Sequence, residues 1–411
     1  MQPFPLQALI DATGGTPVGL EDLSAPIDRI ETDSRRIQPG DLFWALKGNR
    51  HNGHKFARNA IRDGAALAIV DTRHGRKLNC PRIEVDDTLT ALWQFANWYR
   101  KQFDVLLIGV TGSVGKTTTR HLITSVLSSR FRGMESPHNY NNQFGVPLSL
   151  LQIEADHEFA VIELGASRSG DIETLTAIAQ PEIGVITAIG PAHLDGFQSV
   201  ENIIATKGAL LENLSDSGFA VLNGDDRNVR NMADRSQCPV ILVGEREDND
   251  LQATEVAVDN GWLGFRIQDV EFRVPATGKH HVTSALIAVA IGRQIGMTDE
   301  EIIQGLRTFT PLAGRCQTRK IGPWTVIDDT YNANPRSMSA ACQTLKDWQT
   351  PGSRILVIGD MLELGEWSDD FHRLLGEEIA RSKIEKLIVV GSQAANVARN
   401  AKFHGMDAGC L

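Results

Sequence analysis

The stretch Thr111-Gly112-Ser113-Val114-Gly115-Lys116-Thr117 constrains the fold of this 411-residue chain more than any other feature. It stands between an apolar run and a helix-like segment. Residues 104–110, rich in Val, Leu and Ile, predict a short buried strand. Residues 118–131 carry Leu122, Ile123, Val126 and Leu127 at helical spacing. A glycine-rich turn at such a junction presents backbone N–H groups at a helix N-terminus, where the macrodipole also favours negative charge. From there Lys116 can reach a β- or γ-phosphate, and the Thr117 hydroxyl can ligate Mg²⁺. The general pattern has a glycine at position 110; this chain has Val110, with glycines at 109, 112 and 115. Gly112, Ser113, Val114, Gly115, Lys116 and Thr117 are therefore expected to cradle nucleotide phosphates.

A chain of this length has room for roughly two to four domains. Its 42% hydrophobic and 22% charged residues exclude a disordered or fibrous class and fit a globular one. The formal net charge of −10 argues against broad binding to nucleic acid or anionic membranes. An anionic small substrate stays open, because local basic sites can coexist with an acidic surface. Cys80, Cys238, Cys316, Cys342 and Cys410 are scattered without metal-ligand or redox spacing, and read as reduced thiols. The first residues lack a basic region followed by a long apolar stretch, and no run approaches the ~18 apolar residues of a membrane span. No membrane insertion is expected, and the location read from this is cytoplasmic.

The texture changes twice along the chain. Residues 1–100 mix short strand-like runs (41–46, 66–71) with an aromatic-rich helix over 91–100. From about 101 to 312 apolar strands recur at 159–164, 183–189, 219–223 and 240–243, with helical stretches between several of them and an alanine-rich helix over 284–296. That alternation predicts an α/β domain with a largely parallel sheet. A third block, 313–411, carries strand candidates at 324–327, 354–358 and 386–390 alternating with helices, a Rossmann-like pattern.

Other residues point toward chemistry less sharply. Glu163 ends an apolar strand, where ligands of open α/β sheets bind, and a carboxylate there suits a hard divalent cation. His193 also follows an apolar strand; alone it reads as structural. Lys207 alone reads as an ordinary exposed lysine. Asp328-Asp329-Thr330-Tyr331-Asn332-Ala333-Asn334-Pro335 fits a plain polar turn as well as a functional one.

Taken together these stretches resemble the Mur ligase family from end to end. The resemblance is carried by Thr-Asp33-Ser34-Arg35 with Pro-Gly-Asp-Leu-Phe, the Gly-Lys-Thr loop, Asn139-Tyr-Asn141-Asn142-Gln-Phe-Gly-Val-Pro, Glu163-Leu-Gly-Ala and Ala-His193-Leu. It continues in Asp-Asp329-Thr-Tyr-Asn332-Ala-Asn334-Pro and Gly-Asp360-Met-Leu-Glu363-Leu-Gly. The last two are those of the branch that adds D-alanyl-D-alanine to UDP-MurNAc-tripeptide. The resemblance implies three domains: 1–100 for the UDP end of the substrate, 101–312 for ATP, and 313–411 as a Rossmann-like closing domain. It implies ATP and Mg²⁺ as cofactors, an acyl-phosphate intermediate and a pentapeptide product for peptidoglycan synthesis; the oligomeric state is left open, with a monomer favoured.

It also implies residue roles. Thr117, Glu163, His193 and Lys207 fall at Mg²⁺-placing positions, Lys207 being the lysine that several members carbamylate; with Lys116 and His193 it completes the catalytic set. Ser284, Arg315 and Asp329 fall at nucleotide-contacting positions. Ser34, Arg35, Asn139, Asn141, Asn142, Asn332 and Asn334 fall at substrate-binding ones. The chain departs from the pattern at Asn52, His281, Ser284 and Ala209, where the family has an acid, two asparagines and a glutamate. Family members also carry further strands past the position matching 411, so the last domain reads as shortened or as closed in some other way. Another Mur-type amide ligase and a degenerate, non-catalytic nucleotide-binding protein are the alternatives.

Overall fold

The computed structural model describes residues 1–48, 51–382 and 384–410; residues 49, 50, 383 and 411 lie outside this set. Its centre is a seven-stranded parallel sheet. The strand order is Leu251–Gln252, Val240–Gly244, Phe219–Asn223, Ile183–Ile186, Leu106–Thr111, Phe159–Glu163, Gly133–Glu135. Parallel strands buried on both faces read as continuous apolar runs, which is why Phe159–Glu163 is buried at every position. The chain fills one side of Leu106–Thr111 first, then crosses to Ile183–Ile186 on the other. That reversal of strand order opens a crevice beyond the carboxyl ends of these two strands and Phe159–Glu163.

Helices cover both faces. Lys116–Leu127, Val282–Gln294 and Asp299–Thr308 pack with Ile108, Val110, Val161 and Val185 in one core. Thr88–Arg100, Gly145–Leu150, Asp171–Ala179 and Val200–Glu212 pack with Leu107, Ala160, Ile162 and Ile186 in the other. The second core runs on into the N-terminal residues through Trp44, Ile69 and Phe95. There a five-stranded sheet is ordered Thr16–Val18, Arg82–Val85, Leu67–Asp71, Leu42–Trp44, Ile30–Glu31, with only the Thr16–Val18 edge antiparallel.

Two parts differ from the sequence expectation. The stretch expected to be largely parallel also holds a three-stranded antiparallel sheet, Thr254–Asp259, Trp262–Ile267 and Val270–Val274. Its first turn is Asn260-Gly261, with φ +50° and +81°. Asn-Gly is the favoured pair for a two-residue hairpin turn with positive φ at both positions, so the signal was present in the sequence. The second difference is in the last block, where 324–327 was expected to alternate with helices in the Rossmann-like pattern. Instead Trp324–Asp328 pairs antiparallel with Gln317–Ile321 around Gly322 (φ +56°). This hairpin is separate from the parallel pair Ile355–Ile358 and Lys386–Val389, which helices Pro335–Asp347, Ser368–Ala380 and Ala394–Phe403 flank. A connection of two residues permits only antiparallel neighbours; a parallel pair needs a crossover.

Candidate active site

The crevice is a cleft of about 1120 Å³, lined by the phosphate loop, by Asn139, Asn141, Asn142, Glu163 and His193, and by Ser284, Arg315, Asp329, Asn332 and Asn334. Lys47, Gly48 and Leu89 of the N-terminal part and Glu363 of the last block also reach it. Three sequence-distant segments thus face one space.

The loop is shaped by its glycines. Gly112 has φ +149°, and a Cβ there would stand 2.0 Å from Thr187 Oγ1. That hydroxyl is fixed by donating to the Val114 carbonyl at 2.6 Å. Gly115 (φ +84°) precedes helix Lys116–Leu127 without a side-chain cap, leaving the first helical N–H groups free for an anion. Gly112→Ala is expected to cost about 1–3 kcal/mol in backbone strain alone. It should lower both the denaturation midpoint and nucleotide affinity; a variant with both unchanged would remove this role.

Lys116 is enclosed by the loop, its Nζ donating to the Gly112 carbonyl at 2.8 Å. Burial pulls its pKa down, the Glu163 carboxylate opposes that, and Arg315 adds to it. Glu163 is 2% exposed and ends its strand in a ring of donors. Thr117 Oγ1 donates to Oε2 at 2.9 Å, Asn141 Nδ2 to Oε1 at 2.8 Å, and Arg120 Nη1 reaches Oε2 at 3.3 Å. Thr117 and Glu163 thus put a hydroxyl and a carboxylate side by side at the loop, oxygen donors of the kind Mg²⁺ prefers.

Lys207 corrects the local sequence reading of an exposed lysine. It is 2% exposed on helix Val200–Glu212, and burial drives its pKa well below the ordinary value. Lys116 pushes the same way, while Asp171 and Glu163 resist. His193 has φ +54° and its Nδ1 pairs with the Glu363 carboxylate from the last block. Glu363 was quoted only as part of a motif; its partner lies 170 positions away and carries no local signal.

The asparagines divide by what they touch. Asn142 Oδ1 accepts from the Phe144 and Gly145 amides, opening helix Gly145–Leu150. Asn334 caps helix Pro335–Asp347, accepting from the Ser337 amide at 3.0 Å while Ser337 Oγ accepts from the Asn334 amide at 3.0 Å. Loss of such a cap costs about 1 kcal/mol. Asn334→Ala is therefore expected to lower the unfolding free energy by that amount, read as a lower denaturant midpoint at unchanged slope, and an unchanged midpoint would contradict the capping role. Asn332 Oδ1 accepts from the neighbouring Ala333 amide. Ser284 Oγ accepts from Thr119 Oγ1 at 2.8 Å at the cleft wall. Arg315 stacks over Tyr331 at 3.9 Å, and half-buried Asp329 accepts from the Cys316 amide with its pKa raised by burial.

Ser34 and Arg35 are not brought to the cleft wall. They lie in a turn of the N-terminal part, where Arg35 donates to both carboxylate oxygens of Asp33 and holds its pKa to about 2. Arg336 was missed by sequence reasoning. It reaches from the start of helix Pro335–Asp347 to the Ile189 carbonyl at 2.9 Å and pairs with Asp226, fastening the last block to the central sheet. Asn52, where the family has an acid, accepts from both the His54 amide and Nδ1. His54 Nε2 then accepts from the Asp71 amide, so the ring is fixed in a neutral form.

Family models described as the Mur ligase catalytic, middle and glutamate ligase domains match residues 26–100, 110–292 and 314–409. UDP-N-acetylmuramoyl-tripeptide–D-alanyl-D-alanine ligase of Bacillus subtilis is 35% identical over 382 residues, covering 92% of this chain and 83% of the relative. The chain belongs to the Mur ligase family. The Escherichia coli enzyme of the same name is 32% identical over 403 residues, 95% of this chain and 86% of the relative. Among solved structures, MurF from Acinetobacter baumannii superposes with a TM-score of 0.91 at 32% identity, over 98% of this chain and 89% of that one. MurF from Thermotoga maritima, solved with ADP, superposes with a TM-score of 0.82 at 29% identity, over 90% and 86%. The Mur ligase fold, with its central parallel sheet, is thus common to this chain and to both structures. Among the described residues no helix is long and apolar enough to cross a membrane.

Proposed function

We propose that this chain is the ATP-dependent ligase that joins D-alanyl-D-alanine to UDP-MurNAc-tripeptide, giving UDP-MurNAc-pentapeptide for peptidoglycan synthesis in the cytoplasm. One observation carries the reading: a phosphate loop with a half-buried lysine faces a carboxylate–hydroxyl pair inside one three-sided cleft, and behind its wall lies buried Lys207, near enough for the charges of Lys116, Asp171 and Glu163 to act on it. Relatives bearing that enzyme's name align over more than nine-tenths of the chain.

Bringing a carboxylate beside a triphosphate crowds negative charge, and the reaction needs that charge neutralised. The helix N-terminus at Gly115 and the Lys116 ammonium supply fixed positive potential there. Thr117 and Glu163 would hold Mg²⁺, which when bound screens the phosphates. His193, oriented by Glu363, would help place a second ion. Arg315 and Asp329 would hold the nucleotide from the last block, with Ser284 at its base. Asn139, Asn141, Asn142, Asn332 and Asn334 would line the path of the peptide, and Ser34 and Arg35 would meet the uridine diphosphate on the N-terminal domain. We assign residues 1–100, 101–312 and 313–411 to these three tasks. Contact between the last two, through Arg336–Asp226 and Glu363–His193, holds them together across the cleft, and closure there would keep water from an acyl phosphate.

Lys207 suits carbamylation. A buried neutral amine adds to CO₂ and loses a proton to solvent, leaving an anionic oxygen ligand where an ammonium would repel Mg²⁺.

The test follows atoms. Tripeptide labelled with ¹⁸O in its terminal carboxylate is incubated with ATP, Mg²⁺ and D-Ala-D-Ala. One labelled oxygen should leave in inorganic phosphate as the pentapeptide forms. Pentapeptide with unlabelled phosphate would rule out the acyl phosphate, and no pentapeptide would rule out the ligase.

A further inference from the structure

We propose that His280, His281 and Cys316 form a binding site for one thiophilic divalent cation, with Zn²⁺ as its type, at the junction of the central and last blocks. His280 Nε2 stands 3.9 Å from Cys316 Sγ, across 36 positions of sequence. One ligating atom from each of the three residues lies within 4.8 Å of the others. In tetrahedral zinc sites, with Zn–N near 2.0–2.1 Å and Zn–S near 2.3 Å, nitrogen and sulfur stand about 3.6 Å apart. Small side-chain rotations therefore close the set around an ion.

The backbone holds these groups in place before any ion binds. His280 and His281 occupy a tight turn, Lys279–His281, that leads directly into the buried helix Val282–Gln294, and the His281 amide donates to the Gly278 carbonyl at 3.1 Å. Cys316 has φ +52°, and its amide is tied to Asp329. Sequence spacing among the cysteines hid the cluster, because its other members are histidines from a distant segment.

His281 and Cys316 are buried, 7% and 4% exposed, so the imidazole and the sulfur lie sheltered beside His280. On binding, the S–H bond breaks, the proton passes to solvent and a metal–thiolate bond forms. His280 keeps surface open to the cleft, which gives an ion its way in. Two imidazoles and a thiolate select Zn²⁺ or Co²⁺ over Mg²⁺, which prefers the oxygens of Thr117 and Glu163. The two sites share the cleft but take different ions. An ion here ties the first residues of the last block to the central helix.

The probe is Co²⁺, titrated into the full chain freed of metal. The expected result is a sulfur-to-cobalt charge-transfer absorption that saturates at one equivalent, is displaced by Zn²⁺ and survives excess Mg²⁺. Cys316→Ser should abolish the band and His281→Asn should weaken Co²⁺ binding by about tenfold or more. Cys238→Ser, at a buried thiol outside the cleft lining, should leave it intact. Folding of each variant is read by circular dichroism, and the two independent variants keep the test informative if one misfolds. Absence of the band in the parent chain, or an undiminished band in folded Cys316→Ser, would overturn the proposal.

Discussion

Lys116→Met is expected to lower kcat for phosphate release by about 10²–10³-fold, the loss typical when one preorganised charge donor is removed. The Lys116 ammonium is bonded to the Gly112 carbonyl and lies at the N-terminus of helix Lys116–Leu127, opposite Glu163. Negative charge that develops on a transferring phosphoryl group meets it there without reorganisation. Methionine keeps the length and apolar stem but removes the cation. Because burial already costs this ammonium part of its hydration, the variant should fold at least as stably as the parent chain. Steady-state kinetics beside a denaturant curve separate the two effects. An unchanged kcat in a folded variant would contradict the assignment.

Lys207→Met should be both more stable and close to inactive. The folded chain holds Lys207 far below its ordinary pKa, while the unfolded chain does not. Between the folded value and the unfolded value near 10.4 the unfolded state binds the extra proton. Stability therefore rises with pH across that window, and the cost of burying the amine is greatest below it. Methionine removes that cost, so the variant's advantage should be clear at neutral pH and fade toward pH 10. Activity should fall by about 10²-fold, because an anionic oxygen ligand for the cation is lost along with the amine. For the parent chain, removal of dissolved CO₂ should lower the rate and bicarbonate should restore it. Full activity in Lys207→Met, or indifference to bicarbonate, would remove the carbamate from the account.

What could be read from the sequence follows from range. The phosphate loop is a local device: glycines for positive φ, a strand before it and a helix after it, all within a few turns of chain. Buried parallel strands announce themselves as apolar runs, and the strands at 159–163, 183–186 and 219–223 lie within their expected spans. Thr187 ends its strand earlier than expected because its hydroxyl turns to hold Val114 and Thr111. The hairpin at 254–267 was missed although its Asn260-Gly261 turn signal stood in the sequence, whereas Gln317–Ile321, with one apolar residue in five, carries no apolar run to mark it as the partner of Trp324–Asp328. Lys207 looked ordinary because its helix reads as amphipathic either way; only tertiary packing decides that its ammonium turns inward. Pairs such as Arg336–Asp226, His193–Glu363 and His280–Cys316 join segments whose separation no periodicity records.

The most direct measurement is phosphate release from ATP and Mg²⁺, with UDP-MurNAc-tripeptide and D-Ala-D-Ala each omitted in turn. The account predicts turnover that requires both, and that is lost in Lys116→Met. Tight ATP binding with no release in the complete mixture, from a folded chain, would contradict it and leave a nucleotide-binding protein without the ligase reaction.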